Sequence, residues 1–198
     1  LLGTARDASG EEIFLIPEAA PKPGKLELSW APGPIAGSRF TPEEMARITQ
    51  TAVPAGLREA VAKFAPAWQV ANCGEEMEPG LRAEWGGRKQ VLVTHPFDQQ
   101  TPCVLSQVAT IPAGKQTRLR VVVGHDPRGD FDLVIRADGR ELLRKPVSKA
   151  TAAEGVWLTE VVDLSQFAGR KVKLELLNQP SGWSWEAAYW GELALASE

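Results

Sequence analysis

Trp183 and Trp185 stand two residues apart, after Pro180-Ser181-Gly182 and before Glu186. Side chains two apart on an extended segment point the same way, so the two rings would form one flat apolar platform. A sugar offers a C–H face that stacks on such a ring, while Asn178, Gln179, Glu186 and Tyr189 would bond its hydroxyls. The competing use of either ring is to cap the core of the domain. Replacing Trp183 by Ala separates the two uses: a platform ring would take ligand binding with it and leave the unfolding temperature alone.

Asp126, Asp130 and Asp132 surround Pro127-Arg128-Gly129. Close carboxylates with the carbonyls of a glycine turn suit calcium, a hard cation that takes oxygen ligands, and Asp126 and Asp130 are the expected ligands. Equally, Arg128 can pair an aspartate, and turn aspartates bond their own backbone. His125 beside Asp126 suggests a dyad, but no G-x-S-x-G elbow, H-E-x-x-H or H-x-H set accompanies it. His95 and His125 therefore read as ordinary hydrogen-bonded histidines, and Glu75, Glu76 and Glu78 as solvated carboxylates. The chain reads as no enzyme.

Cys73 and Cys103 are too few for a disulfide scaffold or a zinc site. Both lie beside turn residues. Joined, they would close a loop of about 30 residues, worth roughly 3 kcal/mol, and would imply an oxidising compartment. Unjoined, they are two buried thiols. The net charge of −3 carries no basic field for nucleic acid. No apolar run approaches the roughly 20 residues of a membrane helix. The chain begins Leu1-Leu2-Gly3 without Met or a signal-peptide layout, so it is expected to be a piece of a longer protein.

These side chains need elements to hold them. Residues 1–40 are rich in Pro and Gly and read as a linker or extended segment, with an alternating Leu26, Leu28, Trp30 run as a possible strand. Thr41-Pro42-Glu43-Glu44 forms a capping box. Apolar residues at helical spacing then predict helices over 42–52 and 56–65, followed by an irregular stretch to residue 89. Beyond it, alternating apolar residues mark strands near 90–94, 103–110, 117–124, 130–136, 140–144, 156–163, 171–178 and 185–195. Asp138-Gly139 is a hairpin signal, because both positions tolerate positive φ. Eight short strands punctuated by Gly, Pro and Asp predict a mainly β chain, a jelly-roll antiparallel sandwich over 90–198.

Val123-Gly124-His125-Asp126, Phe131–Arg136, Asp138-Gly139-Arg140-Glu141-Leu142, Val162-Asp163-Leu164, Val172–Leu177 and Ala188-Tyr189-Trp190 follow one order. That order resembles the galactose-binding-like sandwiches, in particular the NPCBM type of carbohydrate-binding module. The resemblance covers roughly residues 90–196. It is similar also to C-terminal modules of large extracytoplasmic proteins of planctomycete-type bacteria. The NPCBM closing motif Asp-His-Ala-Asp-Trp is here Glu186-Ala187-Ala188-Tyr189-Trp190, so only Glu186 and Trp190 carry over. The resemblance implies a glycan or polysaccharide partner and neighbouring domains. It implies a secreted, periplasmic or cell-surface location, and it adds weight to a structural calcium.

Two functions follow. The first is a non-catalytic carbohydrate-binding module of a larger secreted or envelope protein. The alternative is a structural or protein-interaction module, motivated by the helical and Pro-rich residues 1–70. A glycosidase or lyase would need His125 in a deep pocket with two carboxylates.

Overall fold

The computed structural model describes residues 3–6, 12–15, 53–152 and 156–198. Two units separate by their contacts, residues 1–49 and 50–198. In the first, β1 (Gly3–Arg6) and β2 (Glu12–Leu15) form an antiparallel pair. The helix expected over 42–52 and the strand at Leu26–Trp30 lie outside the described residues. Among the described residues no helix is long and apolar enough to cross a membrane.

The second unit is mainly β: two five-stranded antiparallel sheets face each other as a jelly-roll sandwich. It opens with the helix α1 (Leu57–Phe64), which buries Leu57, Ala60 and Val61 at helical spacing. Ten strands follow: β3 (Gln69–Ala71), β4 (Gly80–Trp85), β5 (Arg88–Thr94), β6 (Cys103–Thr110), β7 (Thr117–His125), β8 (Phe131–Ala137), β9 (Arg140–Val147), β10 (Trp157–Asp163), β11 (Lys171–Gln179) and β12 (Ala188–Ser197). One sheet has the order β10-β7-β12-β5-β4 and the other β3-β6-β11-β8-β9. The eight expected strands are all present. The sandwich also starts earlier than residue 90, because β3 pairs with β6 and β4 with β5.

Alternation decides which face is buried. Val172, Leu174 and Leu176 of β11 and Leu119, Val121 and Val123 of β7 point into one core. Asp138 (φ 49°) and Gly139 (φ 77°) make the two-residue β8–β9 turn, with Ala137 opposite Arg140. In β12 a bulge at Gly191 shifts the register against β7, so that both Trp190 and Leu193 face the core.

Candidate functional site

Three chain segments meet at one end of the sandwich: the turn after β7, the turn after β9 and the loop from β11 to β12. The β7 turn is built by Asp126. Its backbone carbonyl accepts the Gly129 N–H at 3.0 Å, and its Oδ1 accepts the Arg128 N–H at 2.9 Å. Arg128 then closes a fork on the same carboxylate, Nε to Oδ1 at 2.8 Å and a terminal N–H to Oδ2 at 2.9 Å. This hydrogen bonding holds the Asp126 carboxyl below the usual range, against the opposing effect of burial.

The β11–β12 loop lies directly on that turn. A Cβ on Gly129 would sit 2.5 Å from the Trp185 carbonyl oxygen and 2.6 Å from that of Ser184, so only glycine allows this approach. Ser181 donates its hydroxyl proton to Asp130 Oδ1 at 2.6 Å, a second tie between the two segments. Within the loop, Glu186 Oε1 accepts the backbone N–H groups of Ser181 (3.1 Å) and Gly182. Asn178, at the end of β11, spans the sandwich and donates to the carbonyls of Thr94 (3.3 Å) and Glu186 (3.1 Å).

The two tryptophans do not share a platform. The segment turns instead of extending, and Trp185 takes a positive φ of 66°, so the rings part. Trp183 is half-buried and meets the His95 ring edge-on, centroids 5.4 Å apart. Trp185 is 43% exposed, and the Arg128 guanidinium lies 3.5 Å from its ring centroid. On the far side of Arg128 opens a cavity of about 310 Å³, lined by His125, Pro127, Arg128, Asp130, Ser148 and Lys149 among others. Ser148 and Lys149 escaped the sequence reading because a lone Ser-Lys after a strand has no motif. Arg128 was visible there only as a partner for an aspartate.

The other expected ligand contacts lie inside. Asn178 is wholly buried, Glu186 is 2% exposed and Tyr189 is 6% exposed. Asn178 and Glu186 support the loop. Tyr189 stacks on Trp85 at 3.7 Å on the outer face of the sheet, away from the core, and burial raises its phenol.

The expected calcium ligands are otherwise engaged. Asp126 is neutralised by Arg128 and Asp130 is held by Ser181, while Asp132 pairs with Arg144 at 3.4 Å. Among the described residues no group of three or more His, Cys, Asp or Glu side chains could hold an ion. The expected bridge is not formed either: Cys73 and Cys103 are free, buried thiols. Cys73 Sγ accepts the His95 N–H at 3.4 Å, and burial beside Cys73 raises the Cys103 thiol well above its ordinary value.

Both histidines are hydrogen-bonded, as expected, and both are buried. His125 Nδ1 faces the carbonyls of Asp126 (2.7 Å) and Gly129 (2.9 Å), and His95 Nδ1 faces that of Pro96 (2.9 Å). Carbonyls only accept, so in each ring Nδ1 carries a proton and donates it.

No protein-family model matches the sequence, and no curated protein matches it. Similar solved structures include the CBM22-1 xylan-binding domain from Paenibacillus barcinonensis, at 14% identity over 67% of this chain and 86% of that one, TM-score 0.46. A family 35 carbohydrate-binding module from Clostridium thermocellum is 12% identical over 68% and 95%, TM-score 0.44. The K1 adhesin domain of Lys-gingipain from Porphyromonas gingivalis is 12% identical over 76% and 95%, TM-score 0.47.

Proposed function

We propose that the chain is a non-catalytic carbohydrate-binding module of a larger secreted or envelope protein, and that the glycan binds at the end of the sandwich where Trp185 is exposed. The observation that carries this reading is the exposed Trp185 ring, linked to the cavity through Arg128, which lies on the ring and lines the cavity. Trp185 supplies an apolar face on a loop pinned by Glu186, Asn178 and Ser181, so little freedom is lost on binding. The cavity wall mixes donors (Arg128, Ser148, Lys149) with the acceptor carboxylate of Asp130. Its four charged neighbours, Asp126 and Asp130 against Arg128 and Lys149, balance in formal charge. A balanced set of donors and acceptors beside a flat ring matches a neutral polyhydroxylated ring better than an ion. The finer assignment, an NPCBM-type galactose-binding-like module, rests on the order of the strand motifs and on Glu186 and Trp190.

Calorimetric titration of the protein with a panel of soluble polysaccharides tests the reading. Binding that disappears in Trp185→Ala is the expected result. Absence of binding to every glycan tested, or binding unaffected by that change, overturns it.

A further inference from the structure

The two sheets carry their sequence-neighbouring strands in the same order, β10-β7-β12-β5-β4 against β9-β8-β11-β6-β3. The connections that cross between the sheets therefore fall in a row. At the Trp185 end, Thr94, Ala188 and His125 stand side by side at the loop feet in one sheet, and Cys103, Asn178 and Leu133 in the other. Loops 95–102, 180–187 and 126–130 thus lie next to one another. The segment after β9 comes fourth, because Val147 pairs with Phe131. At a strand spacing of about 4.8 Å, four neighbouring loops span roughly 14 Å.

The contacts agree with that order. Trp183 meets His95, at the head of the 95–102 loop, and Trp185 lies on Arg128 of the 126–130 loop. The two indoles part along the row, one toward each neighbouring loop. The cavity joins the third loop to the fourth, with Arg128 on one and Lys149 on the other.

The first loop of the row carries Phe97, which is 43% exposed. Among the described residues Phe97 and Trp185 are the two exposed aromatic side chains, and both lie at this end; exposed Val108, Val161 and Leu195 lie on strands. The backbone under Phe97 is held. Its N–H donates to the Thr101 carbonyl at 3.0 Å, while Asp98 Oδ1 accepts the N–H groups of Gln100 (2.8 Å) and Thr101 (2.7 Å). A Cβ on Gly74 would lie 2.5 Å from the Pro96 carbonyl oxygen, so another segment packs against the base of the loop. An aromatic side chain on so fixed a backbone loses little freedom when a ligand covers it.

We propose that Phe97 is a second stacking residue of the glycan site, and that the site takes an extended oligosaccharide lying across the loops rather than a single sugar. The chain runs along the row, from Phe97 over the 180–187 loop to Trp185 and the cavity beyond Arg128. Rings on separate loops engage different sugars of one chain, so the second contact is made by a ligand already held by the first and multiplies its affinity. Exposed Gln99 and Gln100 on the first loop, and Ser148 and Lys149 on the fourth, offer hydroxyl partners at the two ends. This proposal rests on the glycan reading above and adds to it a residue and a ligand length.

Calorimetric titration with ladders of cello-, xylo- and galacto-oligosaccharides, each starting from the single sugar, tests it. Wild-type affinity should climb with chain length and level off once the chain covers the row. Phe97→Ala should bind the shortest ligands as the wild type does and the longer ones about tenfold more weakly, the loss of one stacking contact. Phe97→Trp should keep the climb. Val108→Ala, which trims a more exposed apolar residue on β6, should leave it unchanged. Full affinity already at the single sugar, a climb undiminished in Phe97→Ala, or one diminished equally in Val108→Ala overturns the proposal. If binding then still requires Trp185, the glycan reading stands without it. No binding to any ladder overturns the proposal, and no binding to the polysaccharides either takes the glycan reading with it. Should Phe97→Ala not fold, the wild-type ladder decides: a climb with length supports the proposal and its absence overturns it.

Discussion

At the scale of single residues, the two tryptophans carry different duties. Trp185 is exposed and touches the fold chiefly through the Arg128 guanidinium, a contact worth about 0.5–1 kcal/mol at an exposed position. Trp185→Ala should therefore lower the unfolding temperature only slightly. It should weaken glycan binding about 10–100-fold, if stacking is worth the ~1–3 kcal/mol known for bases on aromatic rings. Trp183→Ala should instead lower stability measurably, by about 1 kcal/mol or more, because the half-buried ring packs edge-on against the buried His95. Thermal unfolding of the two variants side by side checks the split; equal shifts would mean both rings serve one purpose. Asp126 gives a pH prediction. Its folded carboxyl is depressed, so its contribution is present above the unfolded value and is lost as pH falls through the folded one. Asp126→Asn should flatten the acid limb of the stability curve by less than about 1 kcal/mol, since Arg128 is largely exposed. The candidate loop was legible in the sequence through its Trp-Ser-Trp spacing. The direction of the rings was not, because an αL tryptophan leaves no mark in residue types.

At the scale of elements, the strands with strict alternation were legible and those without it were not. β7, β8 and β11 announce themselves because one face is apolar along most of its length. β4, Gly-Leu-Arg-Ala-Glu-Trp, is partly exposed along most of its length and exists through its pairing with β5. What β4 contributes is also a long-range matter: Trp85 lies over the outer face of the sheet, stacked on Tyr189 and edge-on to Trp157 at 5.2 Å. The sheet makes room for these rings with glycines. A Cβ on Gly124 would lie 2.9 Å from Trp85 and 3.1 Å from Trp157, and one on Gly191 2.9 Å from Trp157. Gly124→Ala should therefore cost about 1–3 kcal/mol by overpacking and change the near-ultraviolet circular dichroism of the tryptophans. An unchanged spectrum with unchanged stability would show that the rings are mobile on this face. Glycan binding, which the reading above puts at the sandwich end, should survive the substitution in protein that remains folded.

At the scale of the whole molecule, the fold decides how two distant cysteines behave. Register places Cys103 at the start of β6, opposite Asn178, and an isolated bridge joins Cys73 to Pro96, just beyond the end of β5. Cys73 thus lies against the buried His95 and Cys103 beside the buried Asn178, each thiol about 1% exposed. Closeness favours a bridge, and in the sequence the turn residues beside both cysteines suggested one. Reactivity opposes it, because thiolates do the chemistry and burial keeps Cys103 protonated. Once the sandwich has closed, oxidation must wait for local opening. Alkylation without reductant should therefore modify neither cysteine in the native protein and both after denaturation, giving two adducts by mass. No adduct after denaturation would show that the bridge forms before the sandwich closes. The chain would then be expected to lose unfolding temperature in reductant, through the roughly 3 kcal/mol that closing such a loop supplies. Two adducts, with unfolding indifferent to reductant, would leave the sandwich core and the Asn178 and Glu186 hydrogen bonds as sufficient support for the loop end.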